Sequence, residues 1–279
     1  MITVRGIAAL RERVDAERAA GRSIGLVPTM GAFHAGHLAL MRAARAECDV
    51  VVVSLFVNPT QFGADEDLER YPRDENRDTA LAQKAGVDLL FAPSSDEMFP
   101  PDYETWVEVE ELGSTLEGAA RPGHFRGVAT VCLKLFHIVR PDRAYFGQKD
   151  AQQVAVLRRM LRDLNLALDL RVLPTVRDDD GLALSSRNAY LSTHERSVAL
   201  ALPRALLAGV EASRRGGDPV AAACRHLEAT DGIEVEYVTL ADLDGPTLAA
   251  AVRVGGTRLI DNVPLEDASP NRAHTGRQE

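Results

Sequence analysis

With 279 residues, 46% hydrophobic and 26% charged, the chain can bury a sizeable core in one large or two modest domains, which excludes global disorder. A formal net charge of -9 excludes the broad basic surface of a nucleic-acid binder, while leaving room for a local basic cleft that takes small anions. Cys48, Cys132 and Cys224 match no CxxC or zinc spacing, and no signal-type or membrane-length apolar run is present, so the expectation is a cytoplasmic protein with reduced thiols.

In chain order, the pattern predicts a helix over 3–20, with Thr3 as its cap and Gly21 as its stop. A short apolar strand over 24–28 runs into a loop and then a helix over 37–48, on which Leu38, Met41 and Ala44 recur with helical spacing. The run Val50-Val51-Val52-Val53-Ser54-Leu55-Phe56-Val57 reads as a central strand buried on both faces, closed by Asn58-Pro59. A helix over 74–85 and a strand over 87–92 follow, then a helix over 128–139, a strand over 143–146, a helix over 150–164 and a strand over 168–173. Strands alternating with helices predict an α/β fold, a doubly wound parallel sheet of Rossmann-like type, over residues 1–177. Beyond it the pattern changes to one long Ala/Leu-rich helix over 193–215, a break at Gly216-Gly217-Asp218-Pro219, a short helix and three strands. This predicts a smaller α+β C-terminal domain over 178–266, with a polar tail over 267–279 that reads as disordered.

Three stretches carry candidate chemistry. Pro28, Thr29, Met30, Gly31, His34, Gly36 and His37 lie where a first strand turns into a helix, the place at which open α/β sheets bind ligands. Glycines there allow close approach of backbone, a helix N-terminus offers N–H groups to phosphate, and each imidazole adds a donor. An isolated H-x-G-H equally fits an incidental glycine turn; a zinc site is disfavoured, since the spacing is not H-E-x-x-H. Gly147, Gln148, Lys149 and Asp150 follow another strand, so Lys149 suits a polyphosphate, although a solvated helix-start lysine capped by Asp150 has the same pattern. Leu184, Ser185, Ser186 and Arg187 form a donor-rich segment that alone could be a polar turn. Taken together, the three could grip one ATP across the domain boundary.

H-x-G-H near the N-terminus with a later basic serine loop resembles the nucleotidyltransferase superfamily. More specifically, residues 28–37, 56–62, Tyr71-Pro72-Arg73, His124-Phe125-Arg126-Gly127-Val128, Arg140-Pro141-Asp142, 145–153 and 184–188 resemble pantothenate synthetases, the pantoate–β-alanine ligases. The similarity runs on to residues 258–262. The resemblance implies an AMP-forming ligase that uses ATP and Mg²⁺ to join pantoate to β-alanine through a pantoyl-adenylate, working as a cytoplasmic homodimer with the C-terminal domain as a lid. It implies that residues 30–37, 147–150, Val176 and 184–187 bind ATP, with His37, His34, Lys149 and Arg187 stabilising phosphoryl charge. Gln61, Gln153 and Asn58 would hold pantoate, Gln61 would adjoin β-alanine, and Asp78 would stand on the magnesium side. An amide that both donates and accepts suits hydroxyls beside a carboxylate that must stay nucleophilic. Leu184 stands where many relatives carry Met and Gln148 where Glu is frequent, so no metal role is given to Gln148. The same motifs leave open a different nucleotidyltransferase, such as one making a dinucleotide, and a silent ATP-sensing protein.

Overall fold

The structure is a computed structural model and describes residues 1–64 and 66–265; the tail expected to be disordered lies outside the described residues. Two compact units divide the described residues: one of Met1–Asp179 with Ala183–Ala189, the other of Asp180–Leu182 with residues 190–265.

Six strands build the sheet of the first unit: β1 (Ile2–Val4), β2 (Ile24–Thr29), β3 (Val50–Leu55), β4 (Leu89–Phe91), β5 (Arg143–Gly147) and β6 (Asp169–Leu173). All pair in parallel, in the order β1-β4-β3-β2-β5-β6. The connecting helices are α1 (Ile7–Ala19), α2 (Ala35–Glu47), α3 (Glu75–Lys84), the short α4 (Ser95–Met98), α5 (Glu110–Ser114) and α6 (Glu117–Ala120), then α7 (His124–Val139) and α8 (Ala151–Asp163). Both faces of the sheet are covered, which is why its strands are apolar without alternation. Ile24, Leu26, Val50, Val52, Leu89 and Phe91 point to a core shared with α1, α7 and α8, whereas Val27, Val51, Val53 and Leu90 pack with Met41, Ala44 and Ala82 of α2 and α3. From β2 the chain winds outward through β3 to β4, and later through β5 to β6. The order therefore reverses between β2 and β5, and a crevice opens beyond the carboxyl ends of these two strands.

The predicted helix from residue 3 is replaced by β1 followed by α1. Ile2, Thr3 and Val4 pair with Leu89, Leu90 and Phe91, and the helix starts only after Gly6, which offers no side-chain cap. In the second unit the single long helix is two, α9 (Thr193–Ala199) and α10 (Ala201–Arg214), parted at Leu200. Pro203 has no N–H for the Ala199 carbonyl one turn back, so the hydrogen-bond ladder fails there. α11 (Pro219–Glu228) packs on α10, and both cover an antiparallel sheet of β7 (Ile233–Asp242), β8 (Pro246–Val254) and β9 (Thr257–Pro264). Residues 183–189, assigned by sequence to the second domain, return to the first unit. Arg177 bridges Ala183, and the Leu184 N–H donates to the Val176 carbonyl at 3.0 Å.

Candidate functional site

The crevice at the strand reversal is a cavity walled entirely by residues of the first unit. Its first wall is the loop from β2 to α2. Gly31 has φ 89°, and a Cβ there would lie 2.8 Å from Leu55 Cδ1 and 3.0 Å from Asp78 Oδ2, so only glycine passes between them. Ala32 follows with φ 52°. Asp78 on α3, 1% exposed, holds this turn: one carboxylate oxygen accepts the Ala32 N–H at 2.7 Å, the other the Phe33 N–H at 2.8 Å. Both of its oxygens are thus committed to backbone, and neither Asp78 nor Gly31 lines the cavity. This carboxylate, which the resemblance places on the magnesium side, anchors the loop.

The loop delivers His34 as the cap of α2 and His37 one turn on. The Gly36 N–H donates to His34 Nδ1 at 3.2 Å, and the His34 N–H donates to His37 Nδ1 at 3.4 Å. Gly36 leaves the room this requires, since a Cβ would stand 2.9 Å from the His34 ring. A ring nitrogen that accepts from an amide carries no proton, so each neutral imidazole is protonated at Nε2 and is a donor there. Burial, then the Lys149 charge, lowers the His34 pKa to about 4; burial, then His34, lowers that of His37 to about 3. At neutral pH both are uncharged N–H donors.

The opposite edge follows β5. Gly147 leads into a tight turn over Gln148–Asp150, and the Lys149 ammonium lies 3.2 Å from Asp150 Oδ1. Burial works to raise the Asp150 pKa, but Lys149 holds it below the usual carboxylate range. Leu184, Ser185, Ser186 and Arg187 complete this side. Arg187 clasps Asp67 through Nε at 3.0 Å and Nη2 at 2.8 Å, and the Ser186 hydroxyl donates to Tyr71 Oη at 3.4 Å. The deep end is different in kind. Asn58, Gln61 and Gln153 bring amides to an apolar surface of Phe56, Val128, Val131, Cys132 and Leu135. Asn58 Nδ2 donates to Gln61 Oε1 at 3.0 Å, which turns the Gln61 amide nitrogen away, toward Met30 Sδ at 3.1 Å. Burial pushes the Cys132 thiol up to about 12, so it is no nucleophile at neutral pH.

Of the residues singled out by sequence, Pro28, Thr29, Met30, His34, Gly36, His37, Asn58, Gln61, Gly147, Lys149, Asp150, Gln153, Val176 and Leu184–Arg187 all line this one cavity. Sequence reading gave no role to Tyr71 or to the apolar wall of α7. Tyr71 and Val128 stand in quoted motifs, which is the available signal; Val131, Cys132 and Leu135 differ in no visible way from the α7 residues packed on the sheet.

The family model described as pantoate-beta-alanine ligase matches residues 2–264. The chain is 54% identical to the pantothenate synthetase of Moorella thermoacetica over 274 residues, 93% of this chain and 97% of the relative. Its fold superposes on the crystal structure of pantothenate synthetase from Thermus thermophilus with a TM-score of 0.90 at 48% identity, covering 94% of this chain and 99% of that one. A pantoate-beta-alanine ligase of Francisella tularensis, solved in complex with beta-gamma ATP and beta-alanine, is similar at a TM-score of 0.82 and 34% identity, covering 95% and 97%.

Proposed function

The chain belongs to the pantoate-beta-alanine ligase family, enzymes that use ATP to join pantoate to β-alanine, and we propose that it runs this reaction in the cavity between the ends of β2 and β5. The observation that carries the assignment is the two-sided wall: N–H and cationic donors along one edge, amides on an apolar floor at the other. The first edge matches a triphosphate, the second a small hydroxy acid bearing methyl groups.

A carboxylate does not yield to an amine, because its oxyanion is a poor leaving group. Adenylation changes the leaving group to AMP. With the acid held by Gln61 and Gln153, one carboxylate oxygen attacks the α-phosphorus of ATP and the bond to pyrophosphate breaks. The Nε2–H groups of His34 and His37, the Lys149 ammonium and the Ser185, Ser186 and Arg187 donors offset the charge spread over phosphoryl and pyrophosphate oxygens. The amine of β-alanine, beside Gln61, then adds to the acyl carbonyl; AMP departs with the bonding electron pair, and the amine proton is lost to solvent. No side chain forms a bond to substrate, so catalysis rests on positioning and electrostatics.

Arg187 meets phosphate by exchanging Asp67 for it. Magnesium fits as an ion that arrives on the triphosphate with its own waters, since among the described residues no group of three His, Cys, Asp or Glu side chains is placed to hold a metal ion. Bound there, it would neutralise phosphate charge, with Asp150 a carboxylate that lines the cavity beside Lys149. The family resemblance also supports a homodimer, to be read from sedimentation, and a cytoplasmic location in keeping with free Cys48, Cys132 and Cys224. Among the described residues no helix is long and apolar enough to cross a membrane.

The deciding experiment is exchange of labelled pyrophosphate into ATP. It should require pantoate and proceed without β-alanine, and hydroxylamine in place of β-alanine should give a hydroxamate. Synthesis of pantothenate without any such exchange would refute a reversible adenylate step.

A further inference from the structure

The motif His124-Phe125-Arg126-Gly127 lines no part of the cavity, yet it lies directly behind Gln61. Gln61 ends a tight turn, Pro59–Gln61, that packs on the first turn of α7. Its backbone carbonyl is held twice: by His124 Nδ1 at 2.9 Å and by Arg121 Nη2 at 3.3 Å. Arg121 Nη1 also stands 3.1 Å from His124 Nε2. A guanidinium can only donate, so His124 Nε2 accepts, its proton sits on Nδ1, and that N–H donates to Gln61. Arg121 is fixed in turn by Glu66, which accepts from Nε at 2.8 Å and from Nη2, a bidentate pair whose side chains are 13% and 23% exposed. Burial, then the adjacent Arg121, keeps His124 neutral, with a pKa of about 4.

We propose that His124, locked in its Nδ1–H tautomer by Arg121 and Glu66, is a positioning residue that fixes the Gln61 backbone and thereby the amide that reads the acid substrate. The proposal rests on the reading of this cavity as the pantoate site. Donation runs outward from Arg121, to the Glu66 carboxylate, to the His124 ring and to the Gln61 carbonyl, and the ring's own N–H donates to that same carbonyl. Asn58 completes it from the side-chain end, since its Nδ2 donates both to Gln61 Oε1 and, at 3.2 Å, to the Gly127 carbonyl. Backbone and side chain of Gln61 are therefore tied to the same turn of α7. Glu66, Arg121 and His124 do not line the cavity and Asn58 lines it beside Gln61, so loosening them acts first on acid recognition and reaches the nucleotide edge only through the charge that Glu66 shares with Arg187.

The test compares His124→Leu with His124→Asn in the full chain, titrating pantoate and ATP separately by calorimetry. Leucine cannot donate; the asparagine amide places an N–H near the position of Nδ1. The leucine variant should bind pantoate at least about fivefold more weakly, the loss of roughly one hydrogen bond, with ATP binding within twofold of the parent. The asparagine variant should recover most of the pantoate affinity. A leucine variant that is merely less stable, with unchanged pantoate affinity per folded molecule, overturns the proposal, as does an equal loss of ATP affinity. Should the leucine variant not fold, the parent protein still decides: nitrogen-15 spectra of His124 must show the proton on Nδ1, and a proton on Nε2 overturns the clasp. A folded parent that binds no pantoate at all overturns the reading of the cavity itself, an outcome distinct from the others.

Discussion

Replacing Gly127 by alanine should destabilise the protein and cripple adenylation, although helix propensity alone predicts the opposite sign. Gly127 lies inside α7, where alanine is favoured over glycine by about 1 kcal/mol. A Cβ at this position, however, would stand 2.3 Å from the Thr60 carbonyl oxygen, 2.6 Å from its carbon and 2.8 Å from the Gln61 nitrogen. All three are backbone atoms, so no rotamer change relieves the clash. Ordinary carbon contacts begin near ~3.5 Å, so the turn must retreat from α7 by roughly 1 Å. That retreat would stretch the 2.9 Å contact from His124 and the 3.2 Å contact from Asn58 beyond hydrogen-bonding reach. Overpacking costs about 1–3 kcal/mol and each lost hydrogen bond about 1 kcal/mol, which outweighs the propensity gain. The net loss is about 2–4 kcal/mol, or a fall in Tm of roughly 4–16 °C. A displacement of that size at a substrate-holding group costs on the order of 10²-fold in rate. Thermal unfolding and pantoate-dependent pyrophosphate exchange measure the two effects. Gly256→Ala, where no atom lies within 4 Å of the added carbon, is the control. A Gly127→Ala protein that melts within a degree of the parent, or above it, and exchanges pyrophosphate at the parental rate would show that the close approach fixes nothing.

His37→Ala or Lys149→Ala should lower kcat by about 10²–10³ with an unchanged circular dichroism spectrum, the size of losing one preorganised phosphoryl stabiliser; parental kinetics in either folded variant would remove that residue from the site. Asp78→Asn should cost about 1–3 kcal/mol in urea unfolding, because its amide can accept from one of the Ala32 and Phe33 N–H groups but turns an NH₂ toward the other; a midpoint equal to the parent's would argue against the anchor. Stability should also fall on acidification. The folded pKa values of about 4 for His34 and His124 and about 3 for His37 lie below the unfolded value of 6.5, so the unfolded chain binds more protons in between. That contribution is complete above pH 6.5 and is lost as the pH falls toward 4 and 3; a denaturation midpoint that rises between pH 7 and pH 5 would contradict buried neutral imidazoles.

What the sequence made legible was whatever repeats or punctuates. The valine run of β3 announced a strand buried on both faces, and the glycines and prolines after β2, β3 and β5 marked the strand ends where ligand groups gather. Short pieces were not legible: β1 has three residues and α4 to α6 have four or five each, too few to establish a period. Thr3 looked like a helix cap because nothing local distinguishes a capping threonine from an edge-strand one; its partner, Leu90, is 87 residues away. Asp78 shows the same limit at the site. On a helix following Glu75 and Arg77 it reads as one more surface charge or a metal ligand, while its real partners are amides 45 and 46 residues upstream. Arg187 was found as a cation but not as a clasped one, since Asp67 lies 120 residues before it.

That clasp bears on how an acidic protein binds polyphosphate. The cations of the edge proposed for the nucleotide have anions of their own: Arg187 holds Asp67, and Lys149 lies against Asp150. On the proposed reading, nucleotide binding is an exchange of carboxylate for phosphate, and its free energy would be a difference between two paired states rather than the full attraction of a bare cation. The histidines work under another constraint. A second proton on either ring would break the bond from the Gly36 or His34 N–H and place a half-buried cation near Lys149. Held neutral, they add directed N–H groups at fixed points without adding charge that would need its own carboxylate in the free state. On that reading the edge would divide its labour: Lys149 and Arg187 would supply charge that must be released before use, and His34 and His37 direction that is in place beforehand.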